Sequence, residues 1–235
     1  MALNEICKRC GSIITVVGSQ LCAVCGERLD EDVETAMIKF VGLPEVEEGM
    51  ELMLKGLSEH YGLDITSEHF KDTPRRVARS YAEIFEGVKD TDKKVKTILS
   101  TAFTSDCDQM ILVKGINIFS MCPHHFLPVE YFVSVAYIPK GKVLGISKLP
   151  RLVEILAKRP VIQEDLTTQI ADALMSIGSA GSAVKIEGKH LCMGMRGIRR
   201  PEASAITSAV LGAFRDEPET RAEFFDLVQN TGFSK

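Results

Sequence analysis

The chain has 235 residues, of which 45% are hydrophobic and 26% are charged, as in an ordinary soluble globular protein. Its formal net charge of −4 gives no global attraction to nucleic acid or anionic lipid. No apolar run approaches the ~20 residues of a membrane span, and the N-terminus lacks the basic-then-apolar pattern of a secretory signal. We therefore expect a cytoplasmic protein with reduced cysteines and with no membrane or nucleic-acid partner.

Residues 1–29 stand apart because they hold four of the seven cysteines, arranged as two C-x-x-C-G motifs. Two such pairs can complete a tetrahedral site of four thiolates, which is coordinatively closed. The pattern therefore predicts a zinc ribbon with a structural zinc, and the alternatives are a redox pair or a ribbon that reads nucleic acid. Basic and acidic residues balance here, which argues against the last alternative. The predicted ligands are Cys7, Cys10, Cys22 and Cys25.

Two helices are predicted before the middle of the chain. From Val46, apolar side chains recur at helical spacing until Gly62, a typical helix-ending residue. A second helix begins at Thr73-Pro74, since proline is favoured in the first helical turn, and Gly87 can end it. The predicted organisation is a zinc-ribbon-like segment over 1–29, a linker over 30–45 and a main domain over 46–235.

The remaining chain alternates between strand-like and helix-like patterns. A pair of strands, a pair of helices and a second pair of strands favour an α+β fold over a doubly wound parallel sheet. We expect an antiparallel sheet with helices packed on one face. The predicted elements are strands over 110–119 and 129–138, helices over 149–158 and 164–176, strands over 183–192 and 204–214, and a C-terminal helix over 219–229.

A second group of metal-binding residue types lies between and after these strands. Cys122-x2-His125 offers a thiolate and an imidazole from one turn, with His124 beside them. His190 and Cys192 end a predicted strand, where residues two apart share a face, so we expect them to project together. Spacing alone leaves two possibilities open. One is a zinc with three protein ligands and an open position that acidifies water, and the other is a closed structural site with His124 or His190 as fourth ligand.

Six short segments carry a more specific pattern. They are DTPRRVA at 72–78, SMCPHHF at 120–126, VAYIP at 135–139, GISKLPR at 145–151, RPVIQEDLT at 159–167 and HLCMGMRGI at 190–198. In this order and spacing they resemble the GTP cyclohydrolase I family, from about residue 50 to the C-terminal helix. The resemblance implies the T-fold, assembled as a ring-forming homodecamer with active sites between subunits.

The resemblance also implies the chemistry. Zinc would be held by Cys122, His125 and Cys192, and the reaction would convert GTP and water to 7,8-dihydroneopterin triphosphate and formate. That product would enter pterin and folate, or deazapurine, biosynthesis. His124 and His190 match the family's catalytic pair, and imidazoles suit proton transfer because they titrate near neutral pH.

Substrate binding is expected to divide by charge. The triphosphate requires cations, whereas the guanine edge presents donors and requires an acceptor. A local explanation also exists, because Lys148 and Arg151 open a predicted helix and the acidic Glu164 complements the dipole of another. The residues implied by the family pattern are Lys148, Arg151, Arg196 and Arg76 for the phosphates, Glu164 with Gln163 for the base, and Ser147 as a further substrate-binding residue.

Two features depart from the common family pattern. Pro123 stands where members commonly have glutamate, which stiffens the turn but removes a carboxylate near the site. The N-terminal ribbon is the second departure. The rival hypotheses are a same-fold enzyme that stops at an earlier ring-opened intermediate, and a ribbon-bearing interaction protein in which the metal serves binding.

Overall fold

The structure, a computed structural model, describes residues 3–6, 13–16 and 42–229. It divides into two compact units, Met1–Glu83 and Ile84–Lys235. The predicted ribbon ligands Cys7, Cys10, Cys22 and Cys25 lie outside the described residues, so the ribbon and its bounds stay predictions. Across the described ranges, we find no helix with both the length and the apolarity that a membrane crossing requires.

The first unit contains a short hairpin followed by the two predicted helices. The hairpin strands pair antiparallel, with Ile6 opposite Ile13. The first helix ends as the sequence predicted, because Gly62 adopts a left-handed φ of 71° and its N–H donates to the Ser58 carbonyl. The elements are β1 (Leu3–Ile6), β2 (Ile13–Val16), α1 (Pro44–Tyr61) and α2 (Thr73–Ile84).

The second unit is built on an antiparallel sheet of four strands in the order β4-β5-β7-β8, beside a small β3-β6 pair. The predicted mixture of helices and antiparallel strands is confirmed. The strands are β3 (Ala102–Thr104), β4 (Ile111–Met121), β5 (Pro128–Ile138), β6 (Lys142–Leu144), β7 (Gly181–His190) and β8 (Ala205–Gly212). The helices are α3 (Thr91–Leu99), α4 (Lys148–Ala157), α5 (Gln163–Met175), α6 (Leu191–Gly194), α7 (Ala213–Asp216) and α8 (Pro218–Gln229).

The main core lies between one face of this sheet and helices α4 and α5. Alternate residues of β5 point to that face, and all five of them from Val129 to Tyr137 are fully buried. The helices contribute fully buried leucines, among them Leu152 and Leu166. Each such side chain stabilises the fold by about 1.5–3 kcal/mol relative to exposure. β5 is therefore a central strand whose core-facing residues are fully buried.

The opposite face of the sheet carries a second, smaller core. Ala136 on β5 and Ala183 on β7 lie in a buried cluster with Phe214 of α7 and Phe224 of α8. The small alanine side chains leave room for the phenylalanine rings, whose centroids are 5.8 Å apart. The expectation that helices pack on one face only holds for α4 and α5 but is wrong for α8.

Candidate active site

The connection between β4 and β5 is a tight turn in which some side chains are buried and others are exposed. The Cys122 N–H donates to the Leu127 carbonyl at 3.0 Å, and the Phe126 N–H donates to the Cys122 carbonyl at 2.9 Å. Phe126 adopts a left-handed φ of 51° to close the turn. As a result the Cys122 thiol is buried, whereas His124 and His125 are exposed next to it.

The register of β5 against β7 brings the second group of predicted ligands to this turn. Val129, close after the turn, pairs directly with His190 at the end of β7. The prediction that the strand continues to Cys192 is wrong, because the chain turns into α6 and the Met195 N–H donates to the Leu191 carbonyl at 2.9 Å. His190 and Cys192 are therefore brought together by a strand end and a helical turn, and not by strand alternation.

Three of the predicted ligands form a cluster suited to a metal ion. The ligand atoms of Cys122, His125 and Cys192 all lie within 4.8 Å of one another, and Cys122 Sγ is 4.0 Å from His125 Nδ1. In a tetrahedral zinc site such ligand pairs are about 3.5–3.8 Å apart, so only a small contraction is needed. Two sulfurs and one imidazole nitrogen are a known donor set for catalytic zinc with a fourth position open.

The electrostatics of this cluster couple metal binding to proton release. Burial, and then the neighbouring Cys122, raise the pKa of the Cys192 thiol, and the positive charge of Arg196 opposes this effect. Thiolates, not thiols, bind metal, so loading of the site would displace protons. Arg196 reaches the cluster itself, with Nη1 3.2 Å from His125 Nε2.

His190 is held beside the cluster by two neighbours. Its Nε2 lies 2.8 Å from Oε1 of Gln163, and its ring meets the Tyr131 ring edge-to-face at a centroid distance of 6.0 Å. Burial lowers the pKa of His190, while the charge of the exposed Glu164 nearby acts in the opposite direction. Gln163 is only 3% exposed, so its side chain is enclosed within the chain.

Gly188 makes this arrangement sterically possible. A Cβ at Gly188 would lie 2.3 Å from Oε1 of Gln163 and 2.8 Å from Cε1 of Tyr131. Sequence reasoning missed both Gly188 and Tyr131. A glycine within a strand often marks the close approach of another group, and that signal was present two residues before His190.

Tyr131 brings a buried hydroxyl to the floor of the site. The side chain is fully buried, and the hydroxyl has no hydrogen-bond partner among the described residues. Burial, followed by the charges of Cys122, Glu164 and Cys192, raises the pKa of Tyr131. The hydroxyl therefore stays protonated and remains a donor throughout the physiological range.

The remaining predicted substrate residues are less closely tied to the cluster. Ser147 precedes α4, and Lys148 and Arg151 lie in its first turn, where Ser147 and Arg151 are exposed. Within the described part of the chain, the side chains of Lys148 and Arg151 make no ion pair. Arg76 lies in the first unit, where its Nη2 is 3.6 Å from a carboxylate oxygen of Asp72. Their roles stay predictions.

Comparison with known proteins extends over most of the chain. The sequence model of a family described as GTP cyclohydrolase I matches residues 46–229. A protein of Dehalococcoides mccartyi named GTP cyclohydrolase 1 is 47% identical over 174 residues, covering 73% of this chain and 90% of the relative. A protein of the same name from Carboxydothermus hydrogenoformans is 47% identical over 183 residues, covering 77% and 94%.

A third protein of that name, from Streptomyces griseus, is 49% identical over 170 residues, covering 71% of this chain and 83% of the relative. The matched region contains both sides of the site, from the β4–β5 turn to α6. Family match, sequence identity and the Cys/His cluster agree. The chain therefore belongs to the GTP cyclohydrolase I family.

Proposed function

We propose that this chain converts GTP and water to 7,8-dihydroneopterin triphosphate and formate, with zinc held by Cys122, His125 and Cys192. The family match and the named relatives establish the enzyme class. The chain is a GTP cyclohydrolase I, a hydrolase at the first step of pterin and folate biosynthesis. The observation that most directly supports the zinc is the set of three ligand atoms within 4.8 Å. When bound, zinc supplies Lewis acidity and an acidified water.

The proton transfers are assigned to His124 and His190. Opening the imidazole ring of guanine requires a proton on N7 and a nucleophile at C8. Both histidines flank the cluster: His124 Nδ1 is 3.8 Å from Cys122 Sγ, and His190 pairs with Val129 at the start of β5. Burial lowers the pKa of His190, which favours the neutral ring near neutral pH and suits a group that must both accept and return a proton.

Guanine recognition is assigned to Glu164, and phosphate recognition to the basic residues. The exposed Glu164 carboxylate lies near His190 and Tyr131, where it can accept hydrogen bonds from the donor edge of the base. Arg196 is the phosphate candidate with the best structural support, since its guanidinium lies against His125. Lys148, Arg151 and Arg76 are the other proposed phosphate contacts, and Ser147 is proposed as a further substrate-binding residue.

We further propose a cytoplasmic homodecamer with active sites between subunits and with no nucleic-acid or membrane partner. Within the described part of the second unit, β4 and β8 are the edges of the four-stranded sheet. Unpaired edges invite strand pairing with a second copy, and the exposed Phe119 and Ile206 on these strands would gain burial there. A native mass of ten chains of 25.9 kDa supports this proposal, and a monomer contradicts it.

A structural zinc in the N-terminal segment is the remaining proposal. The β1–β2 hairpin pairs Ile6 with Ile13, so the sequence that joins these strands contains the Cys7-x2-Cys10 motif. Close pairs of cysteines at a hairpin connection are typical of zinc ribbons. Metal analysis decides the question: two zinc ions per chain support the ribbon, and one per chain argues against it.

The catalytic proposal is tested by incubating the purified protein with GTP and measuring neopterin fluorescence and formate release. Both products are expected to form, and pretreatment with a chelator is expected to abolish them until zinc is restored. If the fully zinc-loaded protein releases neither formate nor pterin, the proposal is wrong. Formate release without pterin would instead support the rival enzyme that stops at a ring-opened intermediate.

A further inference from the structure

The side-chain amide of Gln163 is oriented by acceptors that only its nitrogen can satisfy. Nε2 lies 3.2 Å from the Ile186 carbonyl, 2.9 Å from the Ala205 carbonyl and 3.1 Å from Thr207 Oγ1. Carbonyl oxygens accept hydrogen bonds and never donate, so the NH2 group must face them. The reverse orientation would place Oε1 against two carbonyl oxygens in a buried site, which is strongly unfavourable.

Two threonines extend this network and fix the direction of each proton. Thr167 Oγ1 lies 2.6 Å from the Gln163 backbone carbonyl, to which it must donate its single proton. Thr207 Oγ1 lies 2.6 Å from Thr167 Oγ1 and therefore donates to it. The Thr207 oxygen is then left to accept from the Gln163 amide. The NH2 group has two protons for three acceptors, so one N–H is shared, and each group of this buried network still acts only as donor or acceptor towards its neighbour.

The consequence reaches His190. Because the NH2 group of Gln163 is committed on its other side, Oε1 is the atom that faces His190 Nε2 at 2.8 Å. A carbonyl oxygen accepts only, so Nε2 must carry a proton. In the neutral ring, Nδ1 is then the basic nitrogen, and it is the ring nitrogen left to exchange protons with a reactant.

We propose that Gln163 is a positioning residue which holds His190 in the Nε2–H tautomer, so that His190 accepts and returns protons through Nδ1. This inference rests on the proposed catalytic role of His190. It differs from the sequence-based expectation that Gln163 contacts the guanine base. Gln163 is 3% exposed and both ends of its amide are already engaged, which leaves its side chain no free group for the substrate.

The first test reads the tautomer directly in the unmodified, zinc-loaded protein. The chain has five histidines, so labelling with 15N-histidine and magic-angle-spinning NMR gives a simple spectrum. The His190 signals are assigned by their loss in His190→Gln. In the neutral His190 ring we expect a protonated Nε2 and an unprotonated Nδ1. A His190 ring protonated at Nδ1 alone overturns the proposal, whatever any variant does.

The second test replaces Gln163 with methionine, which has similar length but no donor and only a weak sulfur acceptor. We expect loss of the single tautomer and a fall in kcat of about 10–100-fold, the usual effect of removing such a partner. KM is expected to change less than about twofold, because the side chain does not bind substrate. The opposite split, with a raised KM and an unchanged kcat, would identify Gln163 as a substrate contact and overturn the proposal.

The matched control is Gln169→Met, the same chemical change on the same helix. The Gln169 carbonyl oxygen accepts a hydrogen bond from Arg159, and among the described residues no hydrogen bond joins Gln169 to His190, so tautomer and kcat are expected to stay at parental values. Zinc content and thermal unfolding are measured for each variant, and tautomers are compared only between proteins of equal zinc content. If His190→Gln keeps full activity, the proposed proton transfer by His190 is wrong. The NMR spectrum of the unmodified protein tests the tautomer independently of that result.

Discussion

Gly188→Ala adds one methyl group at the point where the support of His190 is most crowded. The new Cβ would lie 2.3 Å from Gln163 Oε1, whereas ordinary contact begins at 3.4 Å, so that oxygen must move by about 1 Å. Gln163 cannot yield freely, because its NH2 group is bonded to the Ile186 and Ala205 carbonyls. Tyr131, on the other side, is fully buried.

Two effects of separate size follow from this clash. Overpacking by one methyl group costs about 1–3 kcal/mol of unfolding free energy. A displacement of about 1 Å breaks the 2.8 Å contact between Gln163 and His190 and is expected to lower kcat by about 100-fold. Gly188 has an ordinary extended backbone, so neither effect arises from backbone strain.

The assay is steady-state neopterin formation at saturating GTP, with thermal unfolding followed by circular dichroism. Gly49→Ala is the control, since Gly49 is exposed on α1 and an added Cβ has nothing within 4 Å. The control should keep its kcat and gain up to about 1 kcal/mol of stability from the lower entropy of its unfolded chain. A Gly188→Ala enzyme with parental kcat refutes the steric reasoning and the importance of the Gln163 contact.

Three further predictions use the same chain. Cys122→Ser should lower the zinc content by one ion per chain and reduce pterin formation to below about one-hundredth. Cys107→Ser, which lies outside the cluster, should change neither. Equal zinc contents in the two proteins would contradict the ligand assignment. Tyr131→Phe should leave the free energy of unfolding unchanged or raise it, because the Tyr131 hydroxyl has no partner among the described residues. Tyr137→Phe should lower the free energy of unfolding by about 1 kcal/mol, because the Leu144 N–H donates to the Tyr137 hydroxyl at 2.8 Å. Chemical denaturation compares the two variants. Phe224→Ala should destabilise the fold by about 3–5 kcal/mol because Phe224 is fully buried, whereas Leu227→Ala should cost less than about 0.5 kcal/mol because Leu227 is exposed. Similar unfolding midpoints for the two variants would show that the second core contributes little.

Periodicity predicted the elements that are long and strongly patterned. Strands β4 and β5 and helices α4 and α5 begin and end within two residues of their expected bounds. The three-residue strands β3 and β6 and the largely polar helix α3 were missed, because segments so short or so polar carry little periodic signal. The end of β7 was misjudged, since alternation says nothing about where a strand stops.

The candidate site could be predicted only as far as its motifs are local. Cys122, His124 and His125 come from one turn, and their chemistry is visible in the sequence. The partners of His190 are not, because they are distant in sequence: Tyr131 meets it through the register of β5 against β7, and Gln163 through the packing of α5 on the sheet. The role of Gln163 also depends on which end of its amide faces inward, which sequence cannot reveal.

The register of β5 against β7 has a consequence for how the protein matures. A slip of one residue would move His190 by about 3.3 Å along the sheet and turn it to the other face, and it would displace the start of α6. The ligands from the β4–β5 turn and from α6 would then no longer converge. If the cluster binds zinc as proposed, a chain with slipped central strands could not complete the three-ligand site, so the zinc content of a preparation would report the fraction of chains with correctly aligned strands.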